Sequence, residues 1–429
     1  MTVEFLGQVN PDYQQLFAIQ GTYSHEPDPN ALMEELRSSV TSGTMTVLSR
    51  PGLTIVAGDP VLEALDLTPQ EFRHKAAASI VNLADVDSNS VRLLGLVPFD
   101  PTSQPSLMEL PEFSVVVQAG SSSLCVVAND EKTAKEKCAK LEMTLKNSAT
   151  RPISGEWDPK TRTKAESRFE FTQDDSSWLK LANTAIERIR TGEFEKVVLS
   201  RRSFVAAPAV LDTIQAMGRL THLYQSAFSF SYRHLLGATP ELLLRRVGGI
   251  LESHPLAGTA NTGEEAALLA SQKDNHEHLV VVRHITDRLK THCDRIETPD
   301  SPSITSFGSI CHLGTQIKGF LSRDNDASSL ELLLAIHPTP AVAGVPQRSA
   351  MSLIQELEDQ PRQFYAGAIG YETLDGDGEW HLVIRTVAIA KDRIEFQAGV
   401  GLVAESDPGA ELAELQAKLS SMLPIIGQQ

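Results

Sequence analysis

Two runs rich in β-branched residues, 381–389 and 394–403, flank the charged turn Lys391-Asp392-Arg393. That pattern predicts a β-hairpin. Gly399 and Gly401 interrupt the second run, and glycine inside a strand marks a bulge or a close approach by a ligand or backbone. Ser406-Asp407-Pro408-Gly409 then stops the strand and starts a helix. On that helix Glu411, Glu414 and Lys418 are spaced three and four apart and share one face, beside an apolar stripe of Leu412, Leu415, Leu419 and Met422. A carboxylate bordering the packed side of a helix and facing a glycine-rich strand suits a metal ligand. An exposed Glu–Lys pair fits the same spacing.

The chain has 429 residues and ordinary globular composition, 41% hydrophobic and 22% charged. Its net charge of -17 argues against non-specific binding to nucleic acid or an anionic membrane, both of which need a basic face. A small anion in a local basic pocket remains compatible with it. No apolar run approaches the roughly 18 residues of a membrane span, and Met1-Thr2-Val3-Glu4 lacks a basic leader. A cytoplasmic protein is therefore expected. Cys125, Cys138, Cys293 and Cys311 have no CxxC spacing, so free buried thiols are expected and zinc is not.

Along the first 150 residues, short strands alternate with helices: strand–turn–strand over 44–56, a helix over 69–83, a strand from 90 into Val97-Pro98-Phe99-Asp100-Pro101, a hairpin over 114–128 and a helix over 132–146. No catalytic constellation stands out there. The polar, Pro- and Gly-bearing stretch 147–163 reads as a linker or a long surface loop. Asp174 supplies N-cap chemistry for a helix over 178–190, with Gly192 just past its end.

Chemistry-bearing residues follow. Lys196 opens the apolar run Val197-Val198-Leu199. It is either an edge lysine reaching for solvent or a desolvated amine able to act as a base. Residues 228–236 read as one strand, leading to Thr239-Pro240-Glu241. Glu241, followed by three leucines, is either a helix-start acid or a carboxyl kept protonated as a general acid. Residues 252–263 read as a glycine-punctuated loop whose amides suit a carboxylate. A helix from 273 to 290 packs through Val281, Val282, Ile285 and Leu289. It places His278 among core residues and Glu277 at their margin. His337-Pro338-Thr339-Pro340 opens a rigid loop that runs to Pro346, and 362–371 reads as a further strand.

The order and company of these motifs resemble the chorismate-utilising enzymes: isochorismate, salicylate, anthranilate and aminodeoxychorismate synthases. The resemblance rests on Lys196-Val197-Val198-Leu199-Ser200-Arg201, Thr239-Pro240-Glu241, Pro255-Leu256-Ala257-Gly258-Thr259, Lys273-Asp274 with Glu277-His278, His337-Pro338-Thr339-Pro340, Phe364-Tyr365-Ala366-Gly367, Ile384-Arg385 and the run from Gly399 to Lys418. It covers about the C-terminal three-fifths of the chain, from Trp178 onward. Gly95-Leu96-Val97-Pro98-Phe99-Asp100-Pro101 looks like a segment of the isochorismate synthase branch.

That resemblance implies an α+β fold, two packed antiparallel β-sheets flanked by helices, in a single large domain. Residues 1–165 would form the less similar part of the same fold and 166–429 the chorismate-binding catalytic region. It implies Mg²⁺ held by Glu277 and Glu414, Lys196 as the base that activates water for attack at C2, and Glu241 as the acid that protonates the departing C4 hydroxyl. Gly258 and Thr259 would meet the ring carboxylate, His337 would line the ring, and Tyr365, Arg385, Lys418 and the backbone near Gly399 would hold the pyruvyl carboxylate.

Lys196 together with Ala257 favours water over ammonia, because the ammonia-using relatives lack the lysine and the aminodeoxychorismate branch carries a lysine where Ala257 stands. Isochorismate synthase is the expected activity, with no amidotransferase subunit. Salicylate synthase, which goes on to eliminate pyruvate, and amine-forming relatives such as anthranilate synthase component I are the alternatives. The siderophore, menaquinone or salicylate destination of the product stays open. A fold-preserving protein without chemistry is disfavoured by the intact set Lys196, Glu241, Glu277 and Glu414.

Overall fold

The computed structural model describes residues 15–24, 27–41, 45–64, 68–82, 86–118, 120–148, 170–171, 174–206, 211–390 and 392–426. The stretch read as a linker lies outside the described residues from 149 onward.

Two antiparallel sheets dominate. The larger has twelve strands, in the order Phe17–Tyr23, Ser121–Ala128, Phe113–Gln118, Leu53–Ala57, Thr46–Arg50, Phe228–Tyr232, Leu235–Thr239, Thr386–Ile389, Arg393–Leu402, Lys196–Ala206 and Gly344–Val345, with Glu170–Phe171 paired to Lys196–Ala206. The second has nine, running Cys293–Glu297, Ile317–Leu321, Ile250–His254, Leu242–Val247, Gly378–Leu382, Ala368–Thr373, Arg92–Val97, Leu107–Pro111 and Pro60–Ala64. Both sheets draw strands from either side of residue 165. Leu48, Ile55, Phe228 and Phe230 of the larger sheet meet Leu94, Leu96, Leu107 and Ile369 of the second in one buried cluster. Removing these apolar faces from water is what holds the sandwich together.

Helices cover the outside. Asp175–Arg190, capped by Asp174 (Oδ1 accepts from Ser177 N–H, 2.6 Å), buries Trp178, Ala182, Ala185, Ile186 and Ile189. Pro69–Ser79, Glu131–Ser148 and Gln272–Leu289 occupy stretches expected to be helical, and Ser329–Ile336 adds a further helix. Pro69–Ser79 begins with a reciprocal Thr68–Glu71 capping box.

Four expectations change. The run 381–389 is not one strand: Gly378–Leu382 pairs in the nine-stranded sheet and Thr386–Ile389 in the twelve-stranded one. The chain crosses between sheets at 383–385, where Arg385 takes a left-handed backbone with φ 51°. The run 228–236 folds back at Arg233, also left-handed at φ 51°, giving Phe228–Tyr232 paired with Leu235–Thr239. Its two-residue turn contains none of the Gly or Asn that normally signals a hairpin. The glycine-punctuated 252–263 is mostly strand. Ile250–His254 joins the nine-stranded sheet, and Leu256–Asn261 builds a three-stranded sheet with Ile310–Gly314 and Ser303–Phe307. Gly258 (φ 73°) sits where that register shifts. In addition, 362–367 forms a turn before the strand Ala368–Thr373.

Residues 240–241 carry the chain out of the larger sheet and into the smaller, beside the crossing at 383–385. Ala238 N–H donates to Arg385 O at 3.2 Å and Leu382 N–H donates to Glu241 O at 3.1 Å. Two crossings laid side by side bring Glu241 and Arg385 together where the sheets part.

Candidate active site

A cavity of about 100 Å³ opens at those crossings. Glu241, Gly258, Thr259, Glu277, Tyr365, Arg385, Gly399, Glu414 and Lys418 all line it. They come from the twelve-stranded sheet, the small sheet, two helices, the turn at Tyr365 and the two crossings between the large sheets.

Lys196 begins the strand Lys196–Ala206 and is 2% exposed. Its Nζ stands 2.7 Å from Glu277 Oε1 on the helix Gln272–Leu289, an ion pair whose angles fall outside hydrogen-bond geometry. The neighbouring strand supplies the space for that pair. Val198 registers with Gly401, and a Cβ at Gly401 would lie 2.8 Å from Lys196 Cε and 2.8 Å from Glu277 Oε1. A side chain there would displace both charged groups.

Glu241 is 3% exposed and its Oε1 has no hydrogen-bond partner among the described residues. Burial pushes its carboxyl up to about 8, against the opposing pull of the Leu256 N–H and the Lys196 charge. It is a protonated acid at neutral pH. Glu414 shows the reverse balance. Burial opposes its ionisation, but Lys418, whose Nζ is 2.7 Å from its Oε1, and the Thr259 hydroxyl hold it below the ordinary carboxylate range. Glu411, one turn earlier, is raised by burial and partly offset by Lys273 at 3.0 Å. Its Oε1 also accepts from Ser406 Oγ.

Cationic groups close the other side. Lys418 Nζ donates to Gly399 O at 3.1 Å, tying the C-terminal helix to the glycine-bearing strand. Arg385 is 6% exposed, and its Nε has no partner among the described residues. A buried guanidinium with an orphaned donor beside an open cavity suits an anionic ligand.

The remaining candidates separate. His278 is a core residue, with Nε2 2.6 Å from Thr315 Oγ1 and Nδ1 without a partner among the described residues. His337 is outside the cavity lining. Its loop turns at cis prolines 338 and 346, and its Nε2 lies 3.1 Å from Pro98 O, so the Gly95–Pro101 segment braces that loop. The histidine that does line the cavity is His312, with Nδ1 3.0 Å from Gly258 O and 3.2 Å from Thr259 Oγ1. Burial, then the charges of Arg385 and Lys418, push it down to about 3, so it is neutral. A lone histidine in the short strand Ile310–Gly314 carries no sequence signal. Only its pairing with Leu256–Asn261 brings it to the site. Among the described residues no group of three or more His, Cys, Asp or Glu is arranged around a metal position.

Comparison with known proteins agrees with this geometry. A family model described as chorismate binding enzyme matches residues 61–427. Isochorismate synthase DhbC of Bacillus subtilis is 36% identical over 261 residues, 56% of this chain; the match spans 65% of that relative's own length. Isochorismate synthase EntC of Escherichia coli K12 is 29% identical over 416 residues, 94% of this chain and 95% of that one. The solved structure of MenF, the menaquinone-specific isochorismate synthase of Escherichia coli, superposes with a TM-score of 0.78 at 22% identity, over 99% of this chain and 97% of that one, which is a likeness of fold. With the family model spanning most of the sequence and the same sandwich beneath it, this chain belongs to the chorismate-binding enzyme family.

Proposed function

We propose that the protein is an isochorismate synthase, converting chorismate to isochorismate by adding water at C2 and releasing the C4 hydroxyl. The observation that carries the reading is that a buried lysine, Lys196 (2% exposed), pairs with the cavity-lining Glu277, while a second lining carboxyl, Glu241, is pushed up to about 8. Water addition with loss of hydroxide needs a base at one ring carbon and an acid at another. Lys196, acting as the base, takes a proton from the water that bonds to C2. The ring double bond shifts, the C4–O bond breaks, and Glu241 gives its proton to the departing oxygen. Water is consumed and water is released, so the step balances. Lys196 is then left protonated and Glu241 ionised, and exchange with solvent resets both. Both carboxylates of chorismate meet cations or backbone donors: Arg385, Lys418 and the Tyr365 hydroxyl suit the pyruvyl side, and Gly258 with Thr259 suit the ring side. Similarity to DhbC and EntC, named as isochorismate synthases, supports the same reading.

The residues present fit a magnesium ion. Glu277 and Glu414 both line the cavity, and Gly401 keeps open a space beside Glu277 Oε1 that a Cβ would fill. A hard cation that takes most of its ligands from water and substrate oxygens needs few protein carboxylates. Bound there, it would grip the ring carboxylate and offset its repulsion from the acids around it.

Product analysis after incubation with chorismate and Mg²⁺ tests the proposal. Isochorismate without released pyruvate is expected. Salicylate with pyruvate, or no turnover, would replace the reading.

A further inference from the structure

We infer that Arg362 is a positioning residue for this chemistry: its guanidinium fastens the strand that carries Lys196 to two other walls of the cavity. The inference rests on the reading of Lys196 as the base. Arg362 touches no group proposed to react and does not itself line the cavity. Its side chain is only 1% exposed, and its donors are committed on three sides. One terminal nitrogen donates to Val342 O and the other to Val198 O, both at 2.7 Å, while Nε donates to Glu358 Oε2 at 2.8 Å. The guanidinium plane stacks over the Phe99 ring, 4.3 Å from its centroid.

Two of those partners reach the cavity. Val198 and Val342 both line it. Val198 is two residues from Lys196 on the same strand, so the two side chains share a face. Val198 N–H also donates to Ala343 O at 2.8 Å, and the guanidinium closes the other side of that contact. Glu358, the counter-ion of Arg362, continues the tie with Oε1 accepting from Ser200 N–H at 2.7 Å and Ser200 Oγ at 2.9 Å. Arg362 also begins the turn that ends in Tyr365, whose N–H donates to Arg362 O at 3.0 Å. That turn includes Gln363 and Ala366 in left-handed conformations, at φ 53° and 59°. Non-glycine residues hold such backbone only where surrounding contacts fix it.

Only a planar guanidinium can serve two carbonyls and a carboxylate at once. A lysine ammonium has the charge without the fork. Arg362→Lys therefore keeps the charge and loses the geometry. Displacing a catalytic group by about 1 Å costs on the order of 10²-fold in rate.

The experiment compares Arg362→Lys, Lys196→Ala and, as a stability control, Leu145→Ala, all in the full chain with chorismate and Mg²⁺. Leu145 is fully buried in the helix Glu131–Ser148 and outside the cavity lining. Melting temperature is measured alongside kcat and KM per folded molecule. Arg362→Lys is expected to lower kcat about 10²-fold with KM changed less than about threefold. Leu145→Ala is expected to lower the melting temperature and leave kcat intact. Should Arg362→Lys not fold, Glu358→Gln tests the same tie, with a smaller fall in kcat expected. Parental kcat per folded molecule in whichever Arg362 or Glu358 variant folds would overturn the inference. Normal turnover by Lys196→Ala would instead overturn the reading beneath it, so the two failures are distinguishable.

Discussion

Lys196 Nζ and Glu277 Oε1 stand 2.7 Å apart, nearly shut off from solvent behind the cavity wall, and Gly401 is what gives them room. The carboxylate proposed to hold magnesium is thus the one that neutralises the proposed base. Glu277→Gln and Glu414→Gln should each raise the Mg²⁺ concentration for half-maximal turnover by at least about tenfold, the scale on which altering a metal site weakens binding. Titration of initial rates with Mg²⁺ checks this; an unchanged midpoint would remove the assignment.

Lys196→Ala should abolish formation of isochorismate while chorismate still binds, because Arg385 and Lys418 remain to hold the carboxylates. Equilibrium binding and product analysis on the same preparation measure both. Undiminished turnover would exclude Lys196 as the base.

Glu241 works as an acid only while protonated, so turnover should fall as pH rises through about 8. Glu241→Gln should keep substrate affinity and lower kcat by about 10²–10⁴-fold, the usual worth of acid–base catalysis. The same residue makes a stability prediction with a definite sign. Its folded pKa of about 8 lies above the ordinary carboxyl value of 4.5, so between these values the native state binds the extra proton. Stability contributed by that proton is present below pH 4.5 and is lost as pH rises to about 8. Relative to the parent, Glu241→Gln should gain stability across that window, as thermal melts at pH 5 and pH 9 would show.

Gly401→Ala adds one methyl group against Lys196 and Glu277, with little strain elsewhere, since Gly401 is not among the left-handed residues. Overpacking of this kind costs about 1–3 kcal/mol. The fold should survive with a modest drop in melting temperature, while kcat/KM falls by about 10²-fold through displacement of the base. A variant as active as the parent would show that the crowding has no catalytic consequence.

Glu379 is 1% exposed and lies 2.7 Å from Arg50 Nε and 2.8 Å from His381 Nε2. Burial works against its charge, yet these partners bring it down to about 2. Its stabilising contribution is present above the ordinary carboxylate range and lost as pH falls through about 2. Glu379→Ala should cost about 3–5 kcal/mol, the scale for breaking a buried ion pair. Denaturant unfolding measures it; a loss under about 1 kcal/mol would mean that solvent serves Arg50 equally well.

Much of this protein is legible in its residue order because the signals are local. Asp174 caps its helix, and the 3.6-residue period marks the packed face of Gln272–Leu289. The hairpin ending in Arg393–Leu402 announces itself by β-branched runs around a charged turn. Motif order was enough to single out Glu241, Glu277, Arg385, Glu414 and Lys418, which the fold gathers around one cavity. Tertiary structure alone decided where strands end and which sheet each joins. Arg385 and Arg233 take left-handed backbone without glycine, so nothing in the string marks the breaks at 383–385 and 233–234. The same holds for His312, brought in by a strand partner more than fifty positions away, and for His337, turned from the cavity toward Pro98. Sequence carries propensities, which act over a few residues. Burial, unpaired charge and the pKa of Glu241 depend on neighbours that only the closed sandwich supplies.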